Sequence, residues 1–157
     1  MYKLLLVAHI LGVFLIVGGA AIATALGIKT SKLSRTQTVA ELTGLSIIAE
    51  RFVITPGAIL ALVAGSLLVH EAGYTFDAFW IVAAYVLWVI AISVGLGPLG
   101  RHTVRLHQHA ERLIAAGVDE SDELRAHAAA PLATALGLLQ NLILLAFIYL
   151  MVVRPGS

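Results

Sequence analysis

The sequence predicts an all-α membrane protein: a four-transmembrane-helix antiparallel bundle, both termini outside, with helical cytoplasmic extensions. Three observations carry this reading. The chain is 60% hydrophobic and 12% charged, with a mean hydropathy of +0.97, whereas soluble domains carry about a quarter charged residues. A 157-residue chain has no interior large enough to hide that surplus, so lipid must cover much of it. The surplus is concentrated in four apolar runs, and the cations cluster between them.

The runs cover residues 4–28, 52–69, 78–99 and 132–153. Each approaches or exceeds the roughly 20 residues that cross about 30 Å of hydrocarbon. Backbone groups find no water there, so each run is expected to be helical, and the short alternating strands of a barrel are missing. The first run holds no charge, and the second begins beside Arg51. The third closes on Gly95, Gly97, Pro98 and Gly100; the fourth lies between Pro131 and Arg154-Pro155-Gly156. The whole chain, 1–157, reads as one membrane domain.

Orientation follows from the ten Lys and Arg residues. Lys29, Lys32, Arg35 and Arg51 fall in the first loop, and Arg101, Arg105, Arg112 and Arg125 in the third. Only Lys3 and Arg154 fall on the opposite side. The positive-inside rule places the two basic loops in the cytoplasm, with both termini and the loop from His70 to Asp77 outside. Tyr2, Tyr74, Trp80 and Tyr149 then sit near the outer interface, where amphipathic rings prefer to lie. Small residues at Ala21, Ala23 and Ala25 imitate a signal-peptide cleavage site. The run is longer than an h-region and its charge bias points the wrong way, so it is expected to stay as a span.

Several functions are disfavoured by composition. No basic stretch is interleaved with aromatics, so nucleic acid is not an expected partner. The chain has no cysteine, which removes disulfide, thiolate and iron–sulfur chemistry. Hydrolase or transferase chemistry has no side-chain constellation to argue from.

The basic loops read as partly helical. Thr38-Val39-Ala40-Glu41 has the form of a capping box opening a helix towards Arg51, with Pro56 bending it into the membrane. The third span is expected to continue through Arg101 to Ala116 and stop at Gly117. Asp119 or Ser121 is expected to cap a further short helix. His102 and His109, seven apart, share a helix face, whereas His107 and His109 point about 200° apart and make no chelate. With Arg101, Arg105 and Arg112 nearby, His102, His107, His109 and His127 read as interfacial histidines.

Helices in lipid associate by close packing, so small residues at four-residue spacing mark contact faces. Gly19, Ala23 and Gly27 form such a set, as do Gly57, Ala61 and Gly65. Ala84, Ala91 and Gly95, then Ala133 and Gly137, form looser ones. Polar groups at depth are costly and face inward. His9 shares a stripe with Gly12, Gly19 and Ala23 and is expected to point into the bundle at the outer leaflet. Gln140 and Asn141, in the middle of the fourth span, read most simply as interhelical hydrogen-bonding groups.

His9 allows three readings. It is a histidine hydrogen-bonded across helices, an axial ligand for haem, or part of a copper set with His70, Glu71 and Asp77. His70 is the one other outer-side histidine, but it lies off the small-residue seam.

The stretches "LLLVAHILGVFLIVGGA", "TPGAILALVAGSLLV" and "AFIYLMVVRPGS" resemble an uncharacterised bacterial family of predicted four-helix integral membrane proteins. The first matches the pattern L-H-x-L-G-x-x-x-W-x-G-G, with Ile16 or Val17 where the family usually has Trp. That family is distantly similar to copper-resistance-D-like proteins and to four-helix membrane protoporphyrinogen oxidases. The resemblance implies a bacterial cytoplasmic (inner) membrane location, and in the oxidases a first-helix histidine at the position of His9 is functional. The expected function is a small protein that binds haem b or a metal such as copper and acts in membrane electron transfer. The alternative is a non-catalytic accessory or scaffolding subunit of a larger membrane complex. The expected partners are the lipid bilayer and a membrane-protein complex or homo-oligomer, and the cofactor is haem b, copper or none. Transport has thin support, because ionisable groups are missing at mid-membrane.

Overall fold

The computed structural model describes residues 1–155; Gly156, expected to help bound the fourth span, lies outside them. Seven helices follow one another: α1 (Tyr2–Thr30), α2 (Thr36–Ala49), α3 (Thr55–Glu71), α4 (Phe79–Val94), α5 (Gly100–Ala115), α6 (Asp122–Ala128) and α7 (Pro131–Val153). Short π-helical segments, Glu50–Ile54 and Gly95–Leu99, join α2 to α3 and α4 to α5. The chain thus makes four helices long and apolar enough to cross a membrane, and no strand occurs among the described residues.

The π segments have a local cause. Pro56 has no N–H to donate to a preceding carbonyl, and just before it both the N–H and the Oγ1 of Thr55, the latter at 2.9 Å, donate to the Glu50 carbonyl five residues back. In the second segment Pro98 follows Gly97, whose ψ of −111° departs from helical geometry. The residue before a proline is pushed out of the α region, and glycine tolerates the displacement. The expected continuation of the third span to Ala116 is therefore interrupted here, then resumes as α5 and ends at Gly117 with φ +74°.

The closest packing joins α1 to α3. A Cβ on Gly12 would lie 2.6 Å from the Ala61 nitrogen and 2.8 Å from the Gly57 carbonyl oxygen. A Cβ on Gly57 would lie 2.8 Å from Leu15 Cβ. Gly19 is pressed against the Ile54 side chain in the same way, at 2.5 Å. The expected set Gly57, Ala61 and Gly65 is the contact face of α3. On α1 the face runs through Gly12 and Gly19 but not through Gly27, which has open space in front of it, as does Gly137 on α7. The four-residue spacing found candidate contacts but could not say which of them a partner helix reaches.

The second pair is α4 with α7, where Trp80, Ile81 and Leu150 pack with Val69 of α3. Arg154 closes that end: its guanidinium donates to the Tyr74 hydroxyl at 2.7 Å and lies over the Tyr74 and Trp80 rings.

At the basic end the extensions form a small core of their own, Val39 and Ala40 from α2, Leu106 and Ala110 from α5, and Leu124 from α6. Leu124, Val39 and Ala110 are fully buried. The capping box expected at Thr38 is not formed. The helix starts two residues earlier, because Thr36 Oγ1 donates to the Val118 carbonyl at 2.7 Å and its N–H to the Asp119 carbonyl at 2.9 Å. Tertiary bonding to the other loop outcompetes the local cap. Ser121 does cap α6, accepting from the Leu124 N–H at 3.1 Å.

Replacing Gly12 with Leu should unfold the protein at lower temperature or lower denaturant in detergent, by at least the roughly 1–3 kcal/mol of ordinary overpacking. Gly18→Leu, where nothing lies within 4 Å, should melt like the parent. Equal melting of both variants would refute the close α1–α3 contact.

Candidate functional site

His9 points from α1 into the α3 backbone. Its Nδ1 lies 2.8 Å from the Ala61 carbonyl oxygen. A carbonyl only accepts, so Nδ1 carries the proton and donates. In the neutral ring Nε2 then holds the free lone pair. The ring lies over Gly65, where a Cβ would sit 2.9 Å from Nδ1 and 3.0 Å from Cε1. The half-buried imidazole is thus held by one hydrogen bond and by the missing side chain of a glycine.

The other expected ligands do not join it. His70 and Glu71 end α3 and are exposed, and Asp77 is exposed in the following turn. Among the described residues no group of three or more His, Asp or Glu side chains is placed to hold a metal ion. The donor set for copper is therefore not assembled by His9, His70, Glu71 and Asp77. The bond to Ala61 is the cross-helix hydrogen bond expected as one of the three readings of His9.

Asn141 of α7 donates to the Gly137 carbonyl at 3.1 Å and to Thr24 Oγ1 of α1 at 3.3 Å. Gln140 faces Gly95, with Nε2 at 3.9 Å from where a Cβ would be, and its Oε1 is buried without a hydrogen-bond partner among the described residues. The Trp88 indole N–H likewise has no partner among the described residues. Ser66 and Tyr85 share a hydroxyl–hydroxyl bond of 2.6 Å between α3 and α4.

At the basic end a histidine cluster appears that spacing revealed only in part. His102 and His109 share one face of α5 as expected, and α6 brings His127 to both, with ring centroids 5.2 Å and 6.0 Å away. Burial, and secondarily the charge of His127, pull the pKa of His102 below its usual 6.5. His107 is separate: Nδ1 donates to the Ala40 carbonyl at 3.0 Å and reaches Thr43 Oγ1 at 3.1 Å, bolting α5 to α2.

One family model, described as "Predicted integral membrane protein (DUF2269)", matches residues 3–155. No curated protein and no solved structure matches the chain.

A histidine whose pKa is lowered on folding takes up protons more readily in the unfolded chain. Stability at the α5–α6 contact therefore rises with pH and is lost as pH falls through the ordinary histidine range. Melting at the basic end should occur a few degrees lower at acid pH than at neutral pH, and His102→Gln should flatten that dependence. An unchanged pH profile in the variant would contradict the assignment.

Proposed function

We propose a function for a chain that belongs to the predicted integral membrane protein family DUF2269: it holds haem b between its spans with His9 as axial ligand and passes electrons in the membrane. The observation that carries the reading is the 2.8 Å bond from His9 Nδ1–H to the Ala61 carbonyl. Histidines that ligate metals usually donate their other ring N–H in this way, which fixes the tautomer and raises the basicity of Nε2. In the four-helix membrane protoporphyrinogen oxidases, which the family resembles distantly, a first-helix histidine at the position of His9 is functional, and this points to the same residue. Haem supplies one-electron chemistry at its iron. This chain's part is to orient the imidazole through Ala61 and seat its ring on Gly65, in surroundings too apolar to stabilise stray charge.

The test is a spectrum. Protein purified from cells supplied with haem should show a Soret band that shifts on reduction. His9→Ala and His9→Gln should lose it, and His70→Ala should keep it. No band in the parent protein overturns the proposal. An accessory subunit is the second reading, favoured by the open space before Gly18, Gly27 and Gly137, where a partner helix has room to approach. Co-purification of a stoichiometric membrane partner with a haem-free chain is the result that selects it.

The proposal includes a bacterial cytoplasmic-membrane location with both termini outside, supported by the segregation of eight of the ten cations into two loops at one end. Because the chain has no cysteine, single introduced thiols report cleanly. Thr75→Cys should react with an impermeant maleimide in intact cells, and Gln37→Cys only after permeabilisation. The reverse pattern would invert the topology.

A further inference from the structure

Where the two long helices leave the membrane at the basic end, a groove of about 520 Å³ opens between them. Both π segments contribute to it: Glu50 and Arg51 from the first, Leu96 from the second. Arg101, Val104 and Arg105 of α5 complete the side that continues from Leu96. Such departures from α geometry recur at functional sites because they turn side chains out of the regular helical register.

The groove sets three guanidinium groups against one carboxylate. Arg51, Arg101 and Arg105 are exposed, and among the described residues the one salt bridge joins Arg125 to Asp122. None of the three arginines therefore pairs with Glu50, although all line the same groove. Glu50 is turned inward, with Oε1 3.0 Å from where a Gly100 Cβ would sit. Gly100 thus makes room for the carboxylate at the floor, and the cationic rim is left without an acidic partner. Leu96, 52% exposed, continues the groove from that rim towards the bilayer, and Val104, 39% exposed, is an apolar side chain at the level of the rim between Arg101 and Arg105.

We infer that this groove is a binding site for one anionic phospholipid, its phosphate held by Arg51, Arg101 and Arg105 beside Val104 and its acyl chain laid along Leu96 towards the bilayer. Charge selects the headgroup, because basic pockets between spans hold anionic lipids. Guanidinium suits the task, since its planar fork binds phosphate oxygens in pairs. The exposed Leu96 on the bilayer side of the arginines selects a lipid over a free phosphate, which would leave it unused. Glu50 adds an acceptor at the floor for a headgroup hydroxyl. The site lies at the opposite end of the spans from His9 and stands independently of haem binding.

The test uses the full chain, purified in mild detergent and offered phosphatidylglycerol or phosphatidylcholine, with retained lipid counted by native mass spectrometry. Phosphatidylglycerol should be retained and phosphatidylcholine should not. Each of Arg51→Gln, Arg101→Gln and Arg105→Gln should lower retention roughly fivefold, and Arg112→Gln, outside the groove, should leave it unchanged. Leu96→Asn should weaken phosphatidylglycerol retention without changing the melting temperature. Equal retention of the two lipids overturns the site, as does equal loss in Arg112→Gln. Displacement of the lipid by millimolar inorganic phosphate, with Leu96→Asn silent, would show a phosphate site instead and also overturn it.

Discussion

The contact of α1 with α3 across Gly12 and Gly57 sets the geometry on which the remaining packing is built. In lipid there is no gain from hiding apolar side chains, because the surroundings are equally apolar. Association then rests on dispersion, which is weak per atom and accumulates only when surfaces approach closely. Here two backbones meet with no room for a methyl group on either glycine. That approach brings His9 within reach of the Ala61 carbonyl and makes Gly65 the floor under its ring. A larger residue at either glycine would separate the helices, and the histidine would lose its acceptor along with its seat.

The basic end is built by different physics. Val39, Ala40, Leu106, Ala110 and Leu124 bury themselves against water, and burying a side chain such as leucine is worth roughly 1.5–3 kcal/mol. One chain therefore joins a packing-driven bundle to a small water-facing core. The joints are the π segments, with Pro98 inside the second, where Gly97 leaves helical geometry, and Pro56 just beyond the first. The arginine groove lies at that seam, where lipid headgroups meet protein.

Length, apolarity and the spacing of small residues made the four spans legible, because membrane-crossing imposes a crude requirement that composition reveals. Gly57, Ala61 and Gly65 were readable as a contact face for the same reason. Spacing could not tell that Gly27 and Gly137 face open space, since it does not record where a partner helix stops. The capping box at Thr38 failed because Thr36 is bonded to a loop more than eighty residues away, a tertiary effect that local pattern does not contain. His9 was readable as inward-facing from its stripe, but its acceptor is a backbone carbonyl, and carbonyls leave no mark in a sequence. His127 joined His102 and His109 for a related reason: α6 folds back on α5 through Leu124, and only the packed structure sets that return.

The two halves of the chain are fastened at their extremities. At the basic end Arg35 and Glu120 form an isolated bridge, flanked by bonds from Thr36 to Asp119 and from Ser121 to Ser34. At the other end Arg154 clasps Tyr74. Between these clasps, His107 joins α5 to α2 through the Ala40 carbonyl and Thr43, and Ser66 with Tyr85 and Asn141 with Thr24 are polar links between the spanning helices, whose close backbone approach is confined largely to the α1–α3 and α4–α7 pairs. A body fastened this way behaves like a hoop-bound cask. Its staves can spread at the waist without loosening either hoop, so the mid-membrane gap between the α1–α3 and α4–α7 pairs is the dimension that varies most easily.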